Sequence, residues 1–288
     1  MTKIIKPLVN VEVLPISSPE SLYLGESSIV LPPAPDTISY PELILLRNPY
    51  GYWRGEEDSG NIAIDSGTGG NNGSYIGAYT LNQSGIIDEG VCPLYSSSAK
   101  GDDAGITVGN CGGHQFGYPI TVEAWCNIPD LTNPAFRFIL ATHTNVSEYR
   151  GIQIGINSAG SVACTCGDGN GNGSFNADLY SRYGYTDSGV IQSGINHHIV
   201  VVIESATNMK FYIDDDLKTT IYAGSGSIDT DFTSLNNNLT IGWSNSSTVP
   251  TYANAWFFNG RLDEVILYEF ALTADDVHAN FIAGTDDL

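Results

Sequence analysis

Phe257-Phe258-Asn259-Gly260-Arg261-Leu262-Asp263-Glu264-Val265-Ile266-Leu267-Tyr268, followed by Ala271-Leu272-Thr273-Ala274-Asp275-Asp276-Val277, decides the reading of this chain. An aromatic pair and an Asn-Gly turn lead into an alternating strand. A short helix then closes the segment. Thr273 is placed to cap it, Asp276 stands three residues on in the capping-box position, and Val277 and Phe281 share one face. No other stretch of the sequence announces a helix.

Working back from there, residues from Leu46 onward read as short strands between turn signals, the pattern of a two-sheet sandwich. Ile120, Val122, Ala124, Cys126 and Ile128 alternate on one face, and Gly151 to Ile156 alternates strictly. Phe136 to Ala141 is nearly continuous in apolar residues, and Val162 to Cys166 supplies another strand. His197 to Ile203 is apolar on both faces, which suits a central strand covered on both sides. Met209 to Ile213 and Leu217 to Tyr222 flank Asp214-Asp215-Asp216 as a predicted hairpin. Leu239 to Trp243 completes the set.

Composition narrows the partners. Against 11 Lys and Arg stand 32 Asp and Glu, a formal charge of −21, which repels nucleic acid phosphates and anionic membranes. The longest aliphatic run, Ile199 to Ile203, is far short of the roughly 20 residues of a membrane-spanning helix. Pro7, Glu12 and Pro15 interrupt the early apolar stretch, so no secretory signal is expected. Five cysteines (Cys92, Cys111, Cys126, Cys164 and Cys166) read as core thiols in place of a disulfide framework or a zinc site. Six Asn-x-Ser/Thr sequons, at Asn72, Asn82, Asn145, Asn172, Asn238 and Asn245, follow from a chain rich in Asn and Ser.

Residues 1–42 differ from the rest, holding seven of the chain's 13 prolines around the alternating piece Leu8-Val9-Asn10-Val11-Glu12-Val13-Leu14. Proline removes donors and stiffens the backbone toward extended forms. Two readings compete: a disordered leader, and an extended arm that orders by pairing with a neighbouring subunit through Leu8, Val9, Val11, Val13 and Leu14. The alternation favours the arm. Residues 43–288 then form the folded domain.

Several segments, in order, resemble the laminin-G-like, concanavalin A-like jelly roll of phage and bacterial surface proteins. They are Tyr52-Trp53-Arg54-Gly55-Glu56, Asp65 with the loop Gly69 to Tyr75, Ile120 to Trp125, His197 to Val200, Phe211-Tyr212-Ile213-Asp214, and the closing segment quoted above. The hairpin departs from the family pattern by carrying Asp215 where Gly is usual. The resemblance implies an all-β, two-sheet antiparallel sandwich with one short C-terminal helix, and a domain of a class that binds glycans or proteins and often carries calcium. By the same analogy, Asp65 and Asp263 are candidate calcium ligands. A weaker calcium candidate is Asp168-Gly169-Asn170-Gly171-Asn172-Gly173, which matches half of an EF-hand loop but has Leu179 where the closing acid belongs.

Catalysis finds little support. The chain has no Glu-x-Asp-x-x-Glu string and no Gly-x-Ser-x-Gly elbow. In a regular strand Glu264 and Glu269 point to opposite faces. Glycan contact calls for exposed aromatic faces, and the candidates are Tyr183, Tyr185, Trp243, Tyr252 and Trp256; Trp53 and Trp125 are assigned to the core. The expectation is a non-enzymatic virion-surface protein, a head decoration or a tail adhesin made in the host cytoplasm. In this reading the arm binds other subunits and favours a trimer, while the sandwich faces solvent. A bacterial carbohydrate-binding module exported non-classically is the alternative, and a glycoside hydrolase the third reading.

Overall fold

The computed structural model describes residues 38–87, 104–114, 116–132, 136–142, 150–168, 181–205, 207–224, 239–245 and 255–286, and of Arg150, Asp168, Ser181, Asn245, Ala255 and Trp256 the backbone alone. Two antiparallel sheets make the expected sandwich. The six-stranded sheet runs β1 (Gly51–Trp53), β17 (Arg261–Tyr268), β5 (Ile120–Asn127), β10 (Asn196–Ser205), β11 (Asn208–Ile213), β12 (Asp216–Lys218). The nine-stranded sheet runs β13 (Ile221–Ala223), β9 (Ser181–Tyr185), β8 (Val162–Asp168), β7 (Arg150–Ile156), β6 (Arg137–Ala141), β14 (Leu239–Ile241), β4 (Gly105–Gly109), β3 (Gly73–Ile76), β2 (Ile62–Ala63). A separate ribbon pairs β15 (Trp243–Asn245) with β16 (Ala255–Phe257).

The two-sided apolar character of β10 has its cause in three layers. Ile199, Val201 and Ile203 enter the core between the sheets together with Val122, Ala124 and Cys126. Val200 and Val202 face the other way, into a second cluster with Trp125, Tyr212, Ile266 and Tyr268. That second face is covered by two helices, α1 (Tyr40–Leu46) and α2 (Ala274–Asp286). In α2, Thr273 and Asp276 form the reciprocal capping box: the Thr273 N–H donates to Asp276 Oδ2 at 3.0 Å, and the Asp276 N–H donates to Thr273 Oγ1 at 3.2 Å.

Three local features depart from the sequence reading. The first is α1, which no periodicity announced. Its signal is Ser39-Tyr40-Pro41-Glu42: Pro41 opens the first turn, and Glu42 accepts the Ser39 N–H at 3.2 Å. Tyr40 and Pro41 are buried, so the expected boundary after residue 42 falls inside a helix that belongs to the domain. Second, Leu217 to Tyr222 is two strands in different sheets, because β12 pairs with β11 while β13 pairs with β9. The predicted hairpin tip itself holds. Asp214 and Asp215 both have positive φ, 52° and 70°, so the turn is of the primed kind without the usual glycine. Asp214 Oδ1 accepts the His198 N–H at 2.9 Å, and its Oδ2 lies 2.7 Å from His197 Nδ1. Third, Gly242, at φ 74°, separates β14 from β15.

The two tryptophans assigned to the core are there. Trp53 is 2% exposed and Trp125 1%. Cys111, Cys126, Cys164 and Cys166 are buried free thiols, and burial pushes the Cys111 thiol up to about 11. The Trp125 ring stacks with His198, at 4.8 Å, and with Phe281 of α2, at 6.1 Å, and those two rings lie 5.9 Å from each other. Gly284 is what lets α2 come this close: a Cβ there would lie 2.4 Å from Trp125 Cζ2. In an open helix Gly to Ala is stabilising, by about 1 kcal/mol. Here the pinned indole reverses the sign. Gly284→Ala is expected to lower stability by about 1–3 kcal/mol through overpacking, read as a lower urea midpoint; a raised midpoint would mean that α2 does not seat on Trp125.

Candidate functional site

A binding or cutting site needs side chains that are both accessible and uncommitted, so the disposition of the acids comes first. Asp65 follows the short β2 and organises the loop after it. Its Oδ1 accepts the N–H groups of Tyr52 and Gly67, both at 2.8 Å, and its Oδ2 accepts that of Asn71 at 2.7 Å. Asp263 does similar work elsewhere: its Oδ2 accepts the N–H groups of Ile86 at 2.6 Å and Ile87 at 3.2 Å, and its Oδ1 that of Glu264 at 3.1 Å. The two expected calcium ligands thus spend their oxygens on backbone donors. Among the described residues, no three His, Cys, Asp or Glu side chains are grouped to hold a metal. The pair does not fit the oxygen cage that calcium requires. Asn170 and Asn172 lie outside the described residues, as does the Asp168 side chain.

A bulge carries the Asp263 region. The register of β17 on β5 shifts between Asp263 and Ile266, and Glu264 takes φ 51°. Regular alternation therefore fails at this point. Glu264 turns to the helix-covered side, where its carboxylate meets the hydroxyl of Tyr52 and the Arg54 guanidinium. Glu269 lies beyond the strand, half exposed, 2.6 Å from His114 Nε2. Glu123, which looks isolated in the sequence, is fully buried and accepts from Tyr40, His198, Tyr268 and Asn280. An open cleft of about 440 Å³ lies near Glu264, lined by Arg54, Glu56, Glu57, Asp58, Ile64 and Ser66 among others. Its acids are engaged too: Glu57 Oε1 accepts the Ile64 N–H at 2.7 Å, Glu56 pairs with Arg54, and Asp58 accepts the Ser59 hydroxyl at 2.8 Å.

The aromatic candidates divide. Tyr183 and Tyr185 stand on β9 opposite Thr165 and Ala163 of β8. The residues between them on β8, Cys164 and Cys166, point into the core, so the tyrosines face away from it. Their rings stack at 4.9 Å with 27° between planes, and both are partly exposed. Burial, and then the neighbouring Tyr185, push the Tyr183 hydroxyl up to about 12, so it stays a neutral donor and acceptor. The same outward row continues through Thr165, Gln153, Ala141 and Thr240 on four successive strands. Sequence reading did not single these out, although the strict alternation around Gln153 already put it opposite the isoleucines.

Trp243 is a correction. It is 6% exposed, packs on Phe257 and Ile76, and donates its Nε1–H to the Ile106 carbonyl at 3.0 Å. It anchors the β15–β16 ribbon over the outer face of the nine-stranded sheet and offers no ring to a ligand. Beside it Gln153 Nε2 donates to Ser244 Oγ at 3.0 Å, tying the ribbon down. Tyr252 and the Trp256 side chain lie outside the described residues.

The buried bulge acids set a pH dependence. Burial pushes the Asp263 carboxyl up to about 6 against the pull of its backbone donors, and raises Glu264 with the Asp263 charge adding to it. An acid whose pKa is higher folded than unfolded takes up a proton on folding. Its ionisation therefore costs stability as pH rises from about 4, the unfolded value, through about 6. The urea midpoint is expected to be higher near pH 5 than near pH 7.5, by the equivalent of about 1–3 kcal/mol. Asp263→Asn should reduce that difference by removing its own ionisation and the charge that helps raise Glu264. A wild-type midpoint indifferent to pH over this interval would contradict the assignment.

A family model described as the concanavalin A-like lectin/glucanases superfamily matches residues 100–278. No curated protein matches the chain by sequence. Among solved structures, the binding domain of Paraclostridial Mosquitocidal Protein 1 is similar at 16% identity and a TM-score of 0.55, over 82% of this chain and 52% of that one. The receptor binding domain of botulinum neurotoxin mosaic serotype C/D gives 14% and 0.54 over 82% and 50%. The binding domain of botulinum neurotoxin DC in complex with SialylT gives 13% and 0.53 over 82% and 51%. The chain spans about half the length of these structures, and at such identities the likeness is one of fold. With more than half of its residues matched by the family and both sheets in place, the chain belongs to the concanavalin A-like lectin/glucanases superfamily.

Proposed function

We propose that this is a non-catalytic recognition domain that binds glycans on the outer face of its nine-stranded sheet, beside Tyr183 and Tyr185. The stacked, half-exposed tyrosine pair carries the reading. Sugar C–H faces pack on aromatic rings, and a few placed polar groups take the hydroxyls. Family membership supports it, as does the engagement of Glu123, Asp263 and Glu264 in buried hydrogen bonds, where a glycosidase needs two acids flanking an accessible bond. Two of the neighbours carry names that mention a sialylated ligand and two ganglioside molecules. The formal charge of −21 on this chain favours neutral sugars over anionic ones.

A glycan array followed by titration tests the site. Tyr183→Ala or Tyr185→Ala should weaken binding at least about tenfold, the loss of roughly 1.4 kcal/mol of contact, with an unchanged urea midpoint. Unchanged affinity, or release of reducing ends from the bound polysaccharide, would defeat the proposal.

The wider setting we infer is a virion-surface protein, with residues 1–37 holding it to other subunits, favouring a trimer, and the sandwich facing solvent. The proline-rich composition and the Leu8 to Leu14 alternation support that reading. Removing residues 1–37 should convert a trimer to a monomer by light scattering while leaving the domain's melting temperature in place. A full-length chain that is monomeric at micromolar concentration would contradict it.

A further inference from the structure

We propose that α1 and α2 together form an acid-released cover over the outer face of the six-stranded sheet, with the Glu123 carboxylate as its latch. The inference is independent of the glycan reading and rests on which elements converge on one anion.

Glu123 points from the middle of β5 into the helix-covered layer and is 0% exposed. Its Oε1 accepts the Tyr40 hydroxyl of α1 at 2.8 Å and faces His198 Nε2 of β10 at 2.9 Å. Its Oε2 accepts the Tyr268 hydroxyl of β17 at 3.1 Å. Asn280 Nδ2, from α2, reaches both oxygens, at 2.9 and 3.2 Å. Each helix is therefore tied to the sheet by the same charge. The helices are also tied to each other next to it. Arg47, capping α1, donates its Nε–H to Asn280 Oδ1 at 2.9 Å and pairs with Asp276. Beyond these, His278 Nδ1 of α2 lies 2.6 Å from Asp215 Oδ2 at the β11–β12 turn, and Ile44, Leu272, Val277 and Phe281 pack against Trp125, Val200, Val202 and Ile266.

Protonation of Glu123 weakens the ties of both helices to the sheet at once. Every group aimed at Glu123 donates, and a carboxylic acid adds a further O–H to a shell of donors. The titratable groups facing it are His198 from β10, Tyr40 from α1 and Tyr268 from β17, with Arg47, Tyr52 and Glu264 in the ring beyond. Burial works to raise the Glu123 pKa, but the His198 bond and charge and the bonds from Tyr40 and Asn280 outweigh it, and the carboxyl is held below its ordinary value. The stabilisation is then complete above the unfolded glutamate value of about 4.3 and is lost as pH falls through the lower folded one. Asp263 and Glu264 titrate with the opposite sign and at higher pH, so they do not release the cover. The core between the sheets is a separate cluster that contains neither helix, so the sandwich has the means to outlast its cover.

Hydrogen exchange on the full chain, corrected for intrinsic rates, reads the two layers separately. Between about pH 5 and pH 3.5, protection of α1 and α2 amides should fall by up to about sixfold, while β10 amides keep theirs and an apolar dye begins to bind. Glu123→Gln should leave the cover poorly protected near neutral pH and insensitive to acid over that interval. Asn280→Ala, which cuts the α2 tie together with the Arg47 bond and weakens stabilisation of the anion, should move the release to higher pH, and it serves as the test should Glu123→Gln fail to fold. Loss of helix and β10 protection in one common step, or an Asn280→Ala transition at the wild-type pH, would overturn the proposal.

Discussion

A sheet buried on both faces is the constraint on which the rest of this molecule depends. Strand β5 sends Val122, Ala124 and Cys126 toward one layer and Glu123 and Trp125 toward the other. The second layer exists because two short helices cover it, and neither is long enough to be stable in isolation. What holds them is a mixture of apolar packing on Trp125 and a buried anion with donors from four elements. Replacing such an anion by apolar side chains is often neutral or better for stability. Its consequence here is geometric: Tyr40, Asn280, Tyr268 and His198 have one arrangement in which all of them reach the same two oxygens.

The acids explain much of what this fold does and does not do. Asp65 and Asp263 look like cation ligands by family analogy, whereas Glu123 is a lone acid in an apolar strand that draws no role from the sequence. In the folded chain each accepts three or more hydrogen bonds that fix backbone or cover. A carboxylate so employed has little left for a cation or for proton transfer. Glu264 shows the same economy at a bulge, where a positive-φ residue turns an acid from solvent to a buried tyrosine and arginine.

How legible this was varies with how local the signal is. Strands β5 and β10 and the capped helix α2 were readable because period-two alternation and the Thr273–Asp276 box are short-range patterns. Helix α1 was overlooked because seven residues hold less than two turns of periodicity, and the surrounding prolines pointed toward an extended arm. The split of Leu217 to Tyr222 into two sheets has no breaker residue to mark it, since Lys218-Thr219-Thr220 suits a strand throughout. The bulge at Glu264 is invisible for a similar reason: nothing local tells a glutamate to take φ 51°. Trp243 was misjudged because alternation gives the face of a strand but not what lies over it, and a ribbon from the same chain folds back there.

If the tyrosine face is the binding site proposed above, charge narrows what it would recognise. The chain carries −21 overall, and unscreened negative potential reaches about 8 Å at physiological ionic strength. An anionic sugar approaching Tyr183 and Tyr185 would have to overcome it and would need a guanidinium close by, since bidentate arginine is the usual partner of a carboxylate. Arg182, on the same strand, is turned to the other face and donates to the Gly224 carbonyl. Arg137 is buried and gives its Nη2 to the Asp130 carbonyl at 2.9 Å. Thr165 and Gln153, in line with the tyrosines on the neighbouring strands, are buried, and Gln153 is bound to Ser244, so the tyrosine rings themselves are the accessible surface. At the proposed site, stacking on tyrosines of an acidic body would discriminate by excluding the charged ligand as much as by holding the uncharged one.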